Sequence, residues 1–393
     1  MMVTFGEKSR VCCVVGTRPE AIKMAPVVMA LRQRPWADVR VLATGQHRSL
    51  LDQAMRSFGI EIDDDLDVME PDQSLASLTA RLLLRADGYL AREKPDFVLA
   101  QGDTTTVLAT AVACFYRRVP FGHVEAGLRT FDTGNPFPEE FNRVVTSLAT
   151  RLHFAPTESA RRNLLNEGVS DPVISVTGNT VIDALLWMRD RRPEPPFQFA
   201  PGAQVVLLTT HRRENLGDPM RGIFAAVRSL LERFPRLEFV YPVHPNPNVR
   251  KLAYATLRAE ERVHLCEPLS YEDLVATLTR ADLVLTDSGG LQEEAPALGK
   301  PVLVLRTETE RPEAVDQGVV KLVGTDANAI VREVARLLTD PRHYRSMAKH
   351  VSPYGDGQAA RRICDVLEAH LMQADQASST QPSARHFGSA RVA

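Results

Sequence analysis

Residues 281–313 read ADLVLTDSGGLQEEAPALGKPVLVLRTETERPE. A short apolar run, Leu283-Val284-Leu285, stops at Thr286-Asp287-Ser288-Gly289-Gly290. A helix-like segment then leads to Gly299-Lys300-Pro301, and a second apolar run covers 302–305. The order is strand, glycine turn, helix, strand. Glycines at such a junction let backbone N–H groups approach an anion, and the first-turn amides carry the positive end of the helix dipole, so the turn is expected to hold phosphate. Glu293 and Glu294 are expected in the first helical turn, where a carboxylate complements the dipole and can accept hydrogen bonds from a ribose diol just beyond a diphosphate. The combination points to a nucleotide; taken alone, the Gly-Gly pair reads as the cap of an ordinary α/β helix.

The same alternation extends outward. Val11-Cys12-Cys13-Val14-Val15 is an apolar run of strand length, closed by Gly16-Thr17-Arg18-Pro19 and followed by helical spacing over 20–31. Pro19 suits a first helical turn, where a missing N–H costs little. Arg18 and Lys23 lie where they can meet a phosphate arriving above the strand end; as isolated residues they would be ordinary surface charges. The fingerprint G-x-G-x-x-G does not occur at this turn, which disfavours a dinucleotide redox cofactor. Further strands are expected at 39–43, 97–100, 119–123, 153–156 and 173–176, with helices over 49–58, 73–93 and 181–189. Residues 61–67, EIDDDLD, read as an acidic loop without metal-ligand spacing.

Acids recur where strands end, the side of a parallel sheet that carries ligands. Asp103, in Gln101-Gly102-Asp103-Thr104-Thr105-Thr106, stands either as a ligand-facing acid or as a cap of the next helix. Glu125 follows the next strand, and Glu139 opens a helix after the Gly- and Pro-rich loop 131–138. Three acids from successive loops can face one crevice, and acids with basic partners supply the base and the acid that proton transfer at carbon requires.

In the second half, strands at 205–209, 238–241 and 264–267 precede a helix from Tyr271. Two alternations of this size imply an α/β protein of two doubly wound domains, 1–178 and 179–356, with the ligand in the cleft between them. The proline-rich 191–202 is a surface connection. Residues 358–372 make a last amphipathic helix, in a segment 357–373 expected to pack back on the first domain, and 374–393 are expected to be disordered.

A chain of 393 residues, 44% hydrophobic and 24% charged, can bury the cores of two such domains. Forty-seven basic against forty-nine acidic residues give a formal net charge of −2, so nothing draws the chain as a whole to nucleic acid or membrane. Cys12, Cys13, Cys114, Cys266 and Cys364 have neither metal nor redox spacing and read as reduced thiols. The N-terminal MMVTFGEKSR has no signal-peptide core, and no apolar run approaches roughly 18 residues, so a cytoplasmic protein is expected.

In fixed order, GTRPEAIKMAPVV (16–28), TGQH (44–47), QGDTTT (101–106), HVEAGLRT (123–130), PFPEEFNR (136–143), TGN (177–179), THRREN (210–215), HPNP (244–247), DSGGLQEEAPALGKPVLVLR (287–306) and TERPEA (309–314) resemble the non-hydrolysing UDP-N-acetylglucosamine 2-epimerases. The resemblance implies two Rossmann-like domains facing across a cleft, as in the GT-B glycosyltransferases, a homodimer, and interconversion of UDP-GlcNAc and UDP-ManNAc with no metal and no redox cofactor. By the same resemblance Arg18, Lys23, His211, Ser288, Gly289 and Gly290 match diphosphate positions, Glu294 a ribose-binding acid and Arg311 a further cleft arginine. Asp103, Glu125 and Glu139 match acids of C2 proton transfer; Asp103 and Glu139 are taken as the opposed acid/base pair, Glu125 as an orienting group, and His211 as the residue that steadies departing UDP. Gln46, His47, Gln73 and His244 resemble a regulatory UDP-GlcNAc site beside the cleft, from whose pattern Ser49 and Asp72 depart. The competing expectations are a GT-B glycosyltransferase using a UDP-sugar, a hydrolysing epimerase releasing ManNAc and UDP, and a non-enzymatic nucleotide-sugar sensor.

Overall fold

The computed structural model describes residues 8–45, 48–70, 72–309 and 311–379. The apolar runs become two sheets in which every pairing is parallel. The first contains β1 (Ser9–Val15), β2 (Ala37–Ala43), β3 (Asp64–Asp65), β4 (Phe97–Gln101), β5 (Phe121–Val124), β6 (Leu152–Ala155) and β7 (Ile174–Val176), in the order β3-β2-β1-β4-β5-β6-β7. The second contains β8 (Gln204–Thr209), β9 (Leu237–Pro242), β10 (Val263–Cys266), β11 (Leu283–Thr286), β12 (Val302–Val304) and β13 (Val320–Leu322), in the order β10-β9-β8-β11-β12-β13. Strand order reverses between β1 and β4 and again between β8 and β11. The loops leaving these four strands therefore open on the crevices where doubly wound sheets bind ligands.

Central strands read as unbroken apolar runs because helices cover both of their faces. Val11, Cys13 and Val15 of β1 join the core under the helix Arg18–Arg32, while Cys12 and Val14 point the other way, into the core formed with Leu78, Leu82 and Tyr89 of the helix Leu75–Glu93. In β8, Val205 and Leu207 belong to the same core as Val11, and Val206 and Leu208 to a separate outer one. One apolar layer thus runs through both lobes.

The chain crosses between lobes twice, and the crossings touch. Asn179 N–H donates to the Tyr354 carbonyl at 2.5 Å. The last helix, Ala359–Ser379, has the amides of Ala359 and Ala360 held by Asp183 at 3.2 and 2.9 Å, and buries Ile363, Cys364 and Leu367 in the core it shares with the helix Arg18–Arg32. Arg34 joins Asp365 at 2.6 Å on its outer side.

Three expectations change. Residues 61–67 are not wholly irregular: Asp64 and Asp65 pair with Leu42 and Ala43 as a two-residue edge strand, its approach fixed by Val41 N–H donating to Asp63 at 2.8 Å. The last helix continues to Ser379, so 374–379 are helical, and 380–393 lie outside the described residues. Helices at Asp218–Arg233, Pro247–Leu257, Ala327–Thr339 and Pro341–Met347 have no counterpart in the sequence reading. All five cysteines are free thiols, Cys266 half-buried and the others buried. No helix among the described residues is long and apolar enough to cross a membrane.

Candidate active site

Loops from both lobes enclose a cavity of about 480 Å³, within the range of small-molecule sites. The first lobe contributes Arg18, Ile22 and Lys23, and the second His211, His244, Tyr271, Ser288, Gly290 and Glu294. Pro268, Leu269 and Leu274 give it an apolar end, where the Arg18 guanidinium donates across the cleft to the Leu269 carbonyl at 2.7 Å.

The polar end is built on the helix Gly289–Ala297. Ser288 is its N-cap, in extended conformation and with no side-chain cap bond, so the amides of the glycine turn stay open to an anion. Because the helix begins at Gly289, the glycines form its first turn. Glu293 and Glu294 fall one turn deeper than expected, and both are buried. Glu293 accepts from Asn179 Nδ2 at 2.7 Å and pairs with Arg311. Glu294 accepts from the Tyr271 hydroxyl at 3.0 Å, and burial pushes its pKa up to about 7.

His211 owes its orientation to Asp287. That carboxylate is fully buried; it accepts the amides of His211 and Arg212 and Asn215 Nδ2, and its Oδ1 lies 2.8 Å from His211 Nδ1. Burial alone would raise the Asp287 pKa, but the bonds from His211 and the amides bring it below the ordinary value. An anionic Asp287 keeps a hydrogen on His211 Nδ1, leaving Nε2 for the cleft. His244 stacks on His211 with ring centroids 6.1 Å apart and accepts the Asn246 amide on Nδ1 at 3.2 Å; burial and the neighbouring His211 hold its pKa below the usual histidine value.

Behind this wall stand the acids. Lys23 Nζ reaches Glu125 at 2.6 Å, and Gln101 Nε2 donates to the same oxygen at 3.0 Å. Burial would raise the Glu125 pKa, yet Lys23, with Arg311 and Arg143 beyond it, holds it below the ordinary value. Glu125 has φ +65°, a conformation uncommon for a residue with a side chain. Asp103 is ion-paired with Arg143, at 2.9 Å to Nε and 2.8 Å to Nη2, and its carbonyl accepts from Asn142 Nδ2 at 2.8 Å. Thr104, not Asp103, is the N-cap of the helix Thr105–Arg117, so the Asp103 carboxylate is not spent on capping. Of the pair opening the helix Glu139–Ala149, Glu140 is fully buried and accepts the Thr130 and Phe131 amides and Arg143 Nη1. Glu139 is half-buried, and its side chain makes no hydrogen bond or ion pair among the described residues. His123 lies beneath, its Nε2 2.7 Å from the Gly102 carbonyl, its pKa lowered by burial to about 4.

Of the four residues matched to a regulatory site, Gln46 and His47 lie outside the described residues. Gln73 is bonded to Arg81 at 3.1 Å, and His244 lines the main cavity beside His211. Sequence reading missed Asp287, Arg143 and Glu20 as parts of the site. Asp287 was legible as an acid at a strand end; Arg143 carried no signal beyond helical spacing from Glu139.

The family model described as UDP-N-acetylglucosamine 2-epimerase matches residues 29–368. The UDP-N-acetylglucosamine 2-epimerase of Escherichia coli K12 is 50% identical over 369 residues, covering 91% of this chain and 98% of its own. The Neisseria meningitidis UDP-GlcNAc 2-epimerase, solved bound to UDP-GlcNAc, superposes with a TM-score of 0.86 at 44% identity, covering 92% of this chain and 100% of its own. MurG of Acinetobacter baumannii, at 13% identity and a TM-score of 0.57, shares the fold alone, over 92% of this chain and 99% of its own.

Proposed function

The chain belongs to the UDP-N-acetylglucosamine 2-epimerase family and is an isomerase, and from that premise we propose that it reversibly interconverts UDP-GlcNAc and UDP-ManNAc by elimination and re-addition of UDP. The C2 proton adjoins no carbonyl, so direct deprotonation is too slow. Breaking the C1–O bond first sends its electron pair to the β-phosphate of UDP and develops oxocarbenium character at C1. That acidifies C2–H, and a carboxylate removes the proton to leave 2-acetamidoglucal. Proton delivery to the opposite face of C2, with UDP re-adding at C1, gives the epimer. The site must stabilise free UDP and retain it beside the glycal, with cations and amides at one end and carboxylates at the other.

The observation that carries this reading is Lys23, which lines the cavity and also holds Glu125 at 2.6 Å, joining the anion-binding end to the acids. In the proposed arrangement the diphosphate lies between Arg18, Lys23, Arg311, the Ser288 hydroxyl and the amides of Gly289 and Gly290, the Ser288 amide being taken by the Thr286 hydroxyl at 2.9 Å. His211 faces the departing oxygen, and Glu294 takes the ribose hydroxyls. Asp103 and Glu139 act on C2 from opposed faces, with Glu125 orienting the sugar. The test is incubation of purified protein with UDP-GlcNAc alone in D2O, read at C2 by proton NMR.

Glu294 gives a pH dependence with a definite sign. Its pKa of about 7 lies above the ordinary 4.5, so the charged form, which accepts from a ribose diol, is present only above it. UDP affinity measured by calorimetry is expected to weaken as pH falls through about 7. Glu294→Gln is expected to flatten that dependence, and an unchanged slope would remove Glu294 from the ribose.

We also propose a homodimer through the face made by the helices Leu75–Glu93, Thr105–Arg117 and Glu139–Ala149. Leu84 and Leu148 are 74% and 83% exposed there, with Phe115, Tyr116 and Phe141 exposed beside them. Light scattering on a size-exclusion column should give twice the 43.5 kDa chain mass, and Leu148→Glu should reduce it to one; a monomeric parent would rule the dimer out.

A further inference from the structure

Resting on that reading, we propose that Glu20 is a positioning residue of the reaction, holding the loop that presents Arg18 in register with the loop that presents Asp103. Glu20 is the third residue of the helix Arg18–Arg32, after the N-cap Thr17. A glutamate in that place ordinarily reaches back to a single amide at the helix start. Here it is 2% exposed and its carboxylate takes three donors. Oε2 accepts the Gly16 amide at 2.5 Å and the Thr17 amide at 3.0 Å, and Oε1 accepts the Thr104 hydroxyl at 2.5 Å. Two donors come from the end of β1 and one from the end of β4, so a single carboxylate bridges the switch point of the first sheet. Arg18 follows Thr17 directly, and Asp103 directly precedes Thr104.

Neither loop has room to adjust on its far side. A Cβ on Gly16 would lie 2.3 Å from Thr106 Oγ1 and 2.8 Å from Thr44 Oγ1. Asp103 is clamped by Arg143 and Asn142. A shift of the Glu20 carboxylate therefore changes the gap between the cation at one loop and the acid at the other. Helix capping alone explains one amide bond; it explains neither the burial nor the bond to a different strand's loop. Burial pushes the Glu20 pKa up to about 7, and the charged group that faces it is Asp103, itself held by Arg143. A protonated Glu20 still accepts both amides on one oxygen and can donate from the other to the Thr104 hydroxyl, so protonation removes the charge and leaves the bridge.

The test compares Glu20→Asp, Glu20→Gln, Thr104→Val and the double variant Glu20→Asp/Thr104→Val, with unaltered protein measured alongside. Aspartate keeps the charge but is one methylene too short to bridge both loops. We expect kcat to fall on the order of 10- to 100-fold in Glu20→Asp while the UDP dissociation constant changes by no more than roughly twofold. Thr104→Val should reproduce much of that loss, and the double variant should be no worse than Glu20→Asp, because both break the same bridge. Glutamine can likewise accept both amides and donate to Thr104, so Glu20→Gln should fold and keep kcat within roughly threefold of the unaltered protein, because the length of the side chain and not its charge makes the bridge. Additive losses in the double variant, weakened UDP binding at unchanged kcat, or a Glu20→Gln variant as slow as Glu20→Asp would each overturn the proposal. Unaltered protein that leaves UDP-GlcNAc unchanged would instead overturn the functional reading beneath it.

Discussion

Asp103→Asn is expected to lower kcat by roughly 10²- to 10⁴-fold, the range for loss of a general acid/base, while UDP binds nearly as before. The substitution preserves shape: the amide oxygen of asparagine can still accept from Arg143, and Arg143 keeps its bond to Glu140 at 3.0 Å. Nothing is left buried without a partner, so the fold should hold. What disappears is a group able to take and return a proton. Asp103 does not line the cavity that holds the anion-binding amides, which is why UDP affinity should be spared. Steady-state kinetics with a parallel UDP titration checks both halves. Near-normal turnover with a large loss of UDP affinity would reverse the role assigned to Asp103.

Lys23→Met is expected to fail on both counts. The Glu125 side chain is 7% exposed and Lys23 is its ion-pair partner. Removing one member of a buried pair costs on the order of 3–5 kcal/mol, because the other charge remains desolvated. The pair holds the Glu125 pKa below its ordinary value, so its contribution to stability is present above the ordinary carboxylate range and is lost as pH falls through the lowered pKa. The deficit of Lys23→Met, measured by urea unfolding, should accordingly be largest at neutral pH and shrink toward acid, where Glu125 can take a proton in either protein. UDP affinity should also drop by at least roughly tenfold, since a partly desolvated cation leaves the cavity wall. A variant as stable as its parent and unchanged in UDP binding would detach Lys23 from both the acid and the nucleotide.

Most strands of the two sheets were legible because they are short apolar runs. Val11 to Val15 and Leu283 to Leu285 announce buried parallel strands without any partner being known. The helices Asp218–Arg233 and Ala327–Thr339 were harder, since their polar outer faces break the apolar pattern and no motif marks them. Within the site, residues that approach a ligand through backbone or strand-end position were visible: Ser288, Gly289, Asp103 and Glu125 all sit where a strand stops. For residues whose part is to hold others the partner was not visible, even where, as with Asp287, the acid itself stood at a strand end. Asp287 orients His211 through a turn 76 positions away in sequence, and Glu20 bonds to Thr104 across 84. Spacing along one helix carries no trace of such partners. The misplacement of Glu293 and Glu294 has a simpler source: whether Ser288 or Gly290 starts the helix changes which turn the acids occupy.

If C2 loses and regains a proton while UDP is detached but retained, proton NMR of UDP-GlcNAc with the enzyme in D2O will read the exchange at that carbon. The expected result is UDP-GlcNAc and UDP-ManNAc at equilibrium, both carrying deuterium at C2, with the nucleotide sugar intact. Inversion with protium kept at C2, release of free sugar and UDP, or a nucleotide sugar left unchanged would contradict it.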